Sequence, residues 1–183
     1  MNYLIGGMPR SGKSELTKMI QEQLNCSVFG TDDLVELFDV ITPEYGLLKN
    51  SSLNIKLSKI RPIIIHLLER FKYHNKNLII EGWLIRPEDI DSYLKIDPNL
   101  KVVFVGCANI TTEEKLANCH KFPNSNDWLL QLPKEEQVSN ISESIEESIK
   151  IQELCKRLDL LYCDTSYNFR FNLKTAVNSL CKN

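Results

Sequence analysis

The chain has 183 residues, of which 43% are hydrophobic and 25% are charged, and its formal net charge is −2. This length and composition are ordinary for one soluble domain with a substantial core. The near-neutral charge predicts neither a nucleic-acid nor a membrane partner, and no apolar run is long enough to span a bilayer.

The six cysteines are spread along the chain, and none forms a C-x-x-C pair. The first residues resemble a strand entering a loop, not a cleavable signal peptide. Together these features predict a cytoplasmic protein with reduced thiols.

The first element is a short apolar run at 3–6, which predicts a buried strand. It leads into a complete G-x-x-x-x-G-K-S sequence. The eight positions are Gly7, Met8, Pro9, Arg10, Ser11, Gly12, Lys13 and Ser14. Apolar residues spaced i, i+3, i+4 and i+8 from Leu16 then predict a helix. A strand, a glycine loop and a helix in this order are the context in which the motif binds nucleotide phosphates.

Each part of this loop has a physical role in phosphate binding. Gly7 and Gly12 allow backbone conformations that a side chain would obstruct, so the loop amides can turn inward around an anion. The helix that follows points its positive dipole end at the same place. Lys13 is expected to reach the β- and γ-phosphates, and the Ser14 hydroxyl is expected to bind Mg²⁺. The alternative is a glycine turn beside a chance lysine, and the flanking strand and helix argue against it.

The next elements bring two aspartates to the end of a second strand. That strand is predicted at 26–30, and the helix after it is expected to be capped by Thr31 or Asp32. A long helix follows from 53 to 73, and Pro62 is expected to kink it or to split it in two.

Strands and helices continue to alternate to the end of the chain. Further strands are predicted at 78–80, 102–105 and 160–163, and further helices from Pro87, at 111–121, at 134–158 and at 173–180. Short unbroken apolar strands that alternate with helices predict a doubly wound α/β fold with a parallel sheet of about five strands and helices on both faces. No internal repeat or linker divides the chain, so residues 1–183 are interpreted as one P-loop NTPase domain.

Acidic residues follow two of these strands, where ligands of such sheets bind. Asp32 and Asp33 come after the second strand, and either carboxylate could accept a proton from an acceptor hydroxyl or hold Mg²⁺ through water. Asp32 is the preferred candidate, and helix capping is the alternative for both. Glu81 ends the third strand, where it could orient the hydration shell of Mg²⁺. The alternative for Glu81 is a solvent-facing strand end.

Arginine suits the capture of a phosphate or a carboxylate, so Arg61 and Arg86 are candidates for acceptor binding. A solvated surface charge is the alternative for each. The region 111–133 occupies the position of a lid, yet no arginine lies between Arg86 and Arg157. The cations available there are Lys115, His120 and Lys121, for which a polar helix face is the alternative.

Taken together, the chain resembles the adenylate-kinase-like group of P-loop small-molecule kinases, and within it the 2-phosphoglycerate kinase-like and chloramphenicol phosphotransferase-like proteins. The similarity is carried by residues 7–14, Thr31-Asp32-Asp33-Leu34, Ile79-Ile80-Glu81-Gly82 and Asp164-Thr165-Ser166. It implies a nucleoside-kinase-like fold, a base at Asp32 and adenine near residues 164–166. The lack of arginines in the lid-like region speaks against a nucleoside monophosphate acceptor.

These observations predict an enzyme that transfers the γ-phosphoryl group of Mg-ATP to a small cytosolic acceptor. The segment 34–73 is expected to supply acceptor specificity. The main alternative is a P-loop ATPase or nucleotide-dependent switch that acts on a protein partner, and a non-catalytic nucleotide-binding regulator is a third class. GTP is disfavoured because Asn75-Lys76-Asn77-Leu78 lacks the aspartate of an N-K-x-D sequence. The acceptor and the oligomeric state are left open.

Overall fold

The computed structural model describes residues 1–124 and 127–181. Residues 125–126, within the predicted lid-like region, and 182–183, at the end of the predicted domain, lie outside the described residues. The strands are β1 (Asn2–Gly7), β2 (Cys26–Gly30), β3 (Asn77–Gly82), β4 (Lys101–Gly106) and β5 (Leu161–Asp164). They form one parallel sheet in the order β2-β3-β1-β4-β5, which confirms the predicted fold class.

Helices connect these strands. They are α1 (Lys13–Gln21), α2 (Thr31–Ile41), α3 (Leu53–Tyr73), α4 (Ile90–Ile96), α5 (Thr112–Lys121), α6 (Lys134–Arg157) and α7 (Phe169–Cys181). Short 3₁₀ segments lie at Pro43–Tyr45, Pro87–Asp89 and Leu129–Gln131. None of the helices in the described ranges combines the length and hydrophobicity that a transmembrane span requires.

The sheet is covered on both faces because successive strand side chains point to opposite sides. Leu4 and Phe104 belong to a core that also contains buried residues of α3, α4 and α6. Ile5 and Val103 belong to a second core, formed with α1 and α7. This arrangement leaves the carboxyl edge of the sheet as the place where loops from several strands meet.

Two sequence predictions concern the geometry of the helices. Pro62 was expected to kink α3 or to split it in two, and it does not split α3, which is one helix of 21 residues. The predicted side-chain cap of α2 is wrong, because Gly30 is the N-cap and no side chain caps the first turn. β2 runs directly into α2, so Thr31 and Asp32 are already helical residues. The predicted helix at 111–121 is confirmed as α5, and a capping box formed by Thr111 and Glu114 begins it.

Candidate functional site

Three strand ends bring the predicted site residues to one edge of the sheet. β3 lies between β1 and β2, and Glu81 is in register with Ile5 on one side and Gly30 on the other. The phosphate loop follows β1, and Asp32 follows β2. Glu81 is therefore placed between the phosphate loop and the aspartate pair.

The phosphate loop has the backbone conformations that its glycines were expected to permit. Gly7 has φ of 128° and Gly12 has φ of 104°, both in the left-handed region that favours glycine. A Cβ atom on Gly7 would collide with the carbonyl oxygen of Val105, and one on Gly12 would come within 2.7 Å of the Phe169 ring. Arg10 also has a positive φ, of 59°. A tightly turned loop of this kind can form an anion-binding nest from its backbone N–H groups.

Lys13 is the cation at the centre of this edge. Its Nζ donates a hydrogen bond to the carbonyl oxygen of Met8 at 2.8 Å. Desolvation lowers the pKa of Lys13, and the negative charges of Glu81 and Asp32 partly offset this effect. The lysine charge is therefore held close to both carboxylates and to the loop, where it can neutralise phosphate charge.

Ser14 and Glu81 form a pair of oxygen ligands suited to Mg²⁺. The Ser14 hydroxyl donates to Oε1 of Glu81 at 3.1 Å, whereas Oε2 of Glu81 is buried and has no hydrogen-bond partner in the described structure. Burial raises the pKa of Glu81, and Lys13 and the Ser14 hydrogen bond act in the opposite direction. A buried carboxylate oxygen without a partner fits a divalent cation or its bound water.

The rest of the coordination shell would come from water and phosphate. In residues 1–124 and 127–181, no three His, Cys, Asp or Glu side chains are clustered as a metal site. Mg²⁺ usually keeps several waters and is bound through one or two protein groups together with substrate phosphates. The Ser14–Glu81 pair therefore suits magnesium brought by a nucleotide better than a permanently bound metal.

Asp32 and Asp33 lie in the first turn of α2 and are both exposed. Desolvation in the cleft raises the pKa of Asp32, while the Lys13 charge and a polar contact from the Trp83 indole lower it. The Lys56 ammonium lies 5.6 Å from the centroid of the Trp83 ring, and its charge also lowers the pKa of Asp32. Asp32 is thus an exposed carboxylate on which the charge of the phosphate-loop lysine acts.

Trp83 and Lys56 were not identified in the sequence. Trp83 directly follows Glu81-Gly82, so its position after a strand end was an available signal. Lys56 lies on α3, and nothing in its sequence surroundings distinguishes it from other helix lysines.

The two arginines predicted to bind the acceptor both contact protein carboxylates. Nε of Arg61 is 2.8 Å from Oδ2 of Asp89, and the Arg86 guanidinium pairs with Glu147 of α6. The side chain of Arg86 is only 12% exposed, whereas that of Arg61 is 43% exposed. In this structure the two pairs join α3 and α6 to the segment that follows β3.

The lid-like region lies against the phosphate loop. Nη1 of Arg10 is 3.1 Å from Oδ2 of Asp127, and its Nη2 donates to the carbonyl oxygen of Phe122 at 3.0 Å. In return, Nζ of Lys115 donates to the Arg10 carbonyl oxygen at 2.7 Å and to Sγ of Cys107 at 3.0 Å. The Arg10 guanidinium therefore points to the lid-like region, and Lys115 of that region contacts the loop.

No protein-family model and no curated protein matches the chain. Solved structures share its fold. A gluconokinase from Sinorhizobium meliloti 1021 superposes with a TM-score of 0.61 at 14% identity, covering 98% of this chain and 90% of its own. A shikimate kinase from Bacteroides thetaiotaomicron has a TM-score of 0.57 at 16% identity, with coverages of 98% and 96%. A deoxyadenosine kinase from M. mycoides has a TM-score of 0.53 at 17% identity, with both coverages 98%.

At these identities the comparisons establish the fold, which is that of P-loop small-molecule kinases. They do not indicate which acceptor this chain uses. These structures do not confirm the narrower resemblance to 2-phosphoglycerate kinase-like or chloramphenicol phosphotransferase-like proteins.

Proposed function

We propose that this protein is an ATP-dependent phosphotransferase that moves the γ-phosphoryl group of Mg-ATP to a hydroxyl group of a small cytosolic acceptor. The observation that carries the proposal is the grouping of Lys13, Ser14, Glu81 and Asp32 at one edge of the sheet. In this proposal Lys13 is the cation that binds phosphate, Ser14 and Glu81 are the metal ligands, and Asp32 is the accessible base. The P-loop kinase fold of the structural neighbours supports the same reading.

The roles of the residues follow from their positions. The loop amides and Lys13 would hold the β- and γ-phosphates and balance the charge that builds up during transfer. Ser14 and Glu81 would hold Mg²⁺, directly and through water. Mg²⁺ held by these residues would supply positive charge to balance the phosphate oxygens. Asp32 would orient the acceptor hydroxyl and accept its proton.

The segment 34–73 is proposed to form one wall of the acceptor site, since α3 carries Lys56 towards Trp83 and Asp32. The region 111–133 is proposed to cover the loop as a lid. The contacts of this region with the phosphate loop, through Arg10 and Lys115, support the proposal. Closure of this kind excludes water, which would otherwise compete with the acceptor for the phosphoryl group.

The direct test is a screen for acceptor-dependent release of ADP. Purified protein, Mg-ATP and single members of a library of small hydroxylated compounds are mixed, and ADP is measured against protein without acceptor. We expect at least one compound to raise ADP release in a saturable way and to yield a phosphorylated product by mass spectrometry. ADP release that no compound stimulates, but that a protein partner does, would support the switch or ATPase alternative instead.

A second measurement tests the nucleotide and its metal. At about 100 times its Kd, Mg-ATP should raise the melting temperature by roughly 5–10 °C, because a ligand that binds only the folded state stabilises it by mass action. GTP is expected to raise it less. In Glu81→Gln, the additional shift that Mg²⁺ gives over ATP with EDTA should be largely lost, while ATP with EDTA still stabilises the variant. Equal shifts for ATP and GTP, or an unchanged magnesium increment, would contradict these assignments.

A further inference from the structure

Helix α3 presents two lysine ammonium groups on the wall proposed for the acceptor. Lys56 and Lys59 are spaced i, i+3, so they are neighbours on one helix face. The Lys56 ammonium donates to the carbonyl oxygen of Lys49 at 2.7 Å and lies over the Trp83 ring. The Lys59 ammonium lies 5.0 Å from the centroid of the Tyr45 ring. Neutral groups, namely a carbonyl oxygen and two aromatic rings, therefore contact both charges.

These two lysines differ from the cations beside them in sequence, which carboxylates neutralise. The neutralised pairs are Lys49 with Glu36 and Arg61 with Asp89. Across residues 1–124 and 127–181, no acidic side chain forms an ion pair with Lys56 or Lys59. An ammonium group has three N–H donors, and the Lys49 carbonyl takes one from Lys56. Like charges one helical turn apart repel each other, so an anion beside the two lysines would relieve the repulsion and accept the remaining donors.

Trp83 connects this cationic wall with the proposed base. It directly follows β3, its indole makes a polar contact with Asp32, and its ring faces Lys56. The charge of Lys56 also lowers the pKa of Asp32, so the two groups interact across one tryptophan side chain. A small molecule can therefore place a hydroxyl group at Asp32 and an anionic group at Lys56. The opposite orientation would set two negative charges side by side at Asp32, which is unfavourable.

From this arrangement we propose that Lys56 determines acceptor specificity, and that the acceptor is a small hydroxylated anion whose carboxylate or phosphate group binds Lys56. Lys59 adds to the positive field at the same place. This inference rests on the proposed phosphotransferase function. In the reaction, the acceptor hydroxyl oxygen at Asp32 forms a bond to the γ-phosphorus while the bond from that phosphorus to the β–γ bridging oxygen breaks. ADP leaves with the bonding electrons, and the hydroxyl proton passes to Asp32.

The first test compares acceptors with and without an anionic group. Hydroxy acids are assayed beside their amides, and hydroxylated phosphate monoesters beside their parent polyols, with Mg-ATP, by acceptor-dependent ADP release. We expect the best anionic compound to have a kcat/KM at least about tenfold above that of its neutral counterpart, the usual effect of a hydrogen bond to a charged group. A preference for acids or for phosphate monoesters supports the proposal and identifies the anionic group. A preference for the neutral compounds would overturn the acceptor class and leave the phosphotransferase function standing. A protein that Mg-ATP stabilises but that no compound in either set stimulates would count against both.

A variant separates recognition of the anion from a structural role of Lys56. Lys56→Met removes the charge, so it is expected to raise the KM for the best anionic acceptor by about tenfold or more and to leave the KM values for its neutral counterpart and for ATP unchanged. Lys72→Met is the matched control and should keep the parental KM values. Lys72 lies in the last turn of the same helix, and its ammonium also donates to a backbone carbonyl, that of Ile96, at 2.7 Å. In Lys56→Met, an equal rise of KM for the anionic and the neutral acceptor would show a structural role, and an unchanged KM for the anionic acceptor would show that its charge binds elsewhere. Either result would overturn the proposal.

Discussion

Replacement of Lys13 by methionine should lower the rate of phosphoryl transfer by roughly 10²–10³-fold, the usual effect of removing one group that stabilises transition-state charge. Methionine keeps the length of the aliphatic stem but cannot contact the Met8 carbonyl or a phosphate. Asp32 and Glu81 would lose the positive charge that does most to lower their pKa values. The measurement is kcat and kcat/KM for acceptor-dependent ADP release, together with the circular dichroism spectrum.

The control for this variant is Lys18→Met. Lys18 lies on the same helix, is exposed and belongs to its last turn, away from the phosphate loop. This variant should transfer phosphate at the parental rate. If Lys13→Met is folded and equally active, the phosphate loop is not the site of the chemistry.

Asp32→Asn is expected to lower kcat by roughly 10²–10⁴-fold, the range associated with loss of a general base. ATP affinity should change little, because Lys13 and the loop amides supply it. Since Gly30 is the N-cap of α2, the substitution removes no capping hydrogen bond. The free energy of unfolding should therefore change by no more than about 1 kcal/mol, the size of a helix-dipole interaction. The measurement is kcat at saturating substrates beside a denaturant titration.

Asp33→Asn provides the comparison that decides between the two carboxylates. Asp33 lies in the same turn of α2, and its carboxylate packs over Gly30. A loss of kcat confined to Asp33→Asn would transfer the role of base to that residue. A protein-partner switch would keep its nucleotide affinity in both variants and show no acceptor-dependent rate to lose.

The phosphate loop was predictable because its function depends on local geometry. A left-handed backbone at Gly7 and Gly12 and a helix starting at Lys13 are properties of a few consecutive residues. The same holds for the long helix from Leu53 to Tyr73, whose apolar spacing alone identifies its buried face. Glu81 and Asp32 could be proposed as neighbours because the carboxyl ends of parallel strands meet at one edge of a sheet. The cap of α2 was predicted wrongly because it depends on how closely β2 joins the helix.

The sequence by itself determined the succession of strands and helices along the chain, the phosphate loop and the acidic residues at the strand ends. Each of these depends on the spacing and composition of residues that are close in sequence. The tertiary structure alone decided which charges are available to a substrate. Arg61 meets a carboxylate 28 residues away and Arg86 meets one 61 residues away. No local pattern encodes such pairs, because a charged side chain has the same sequence signature whether it faces water, a ligand or an opposite charge. The packing of α3 and α6 against the segment after β3 neutralises these arginines.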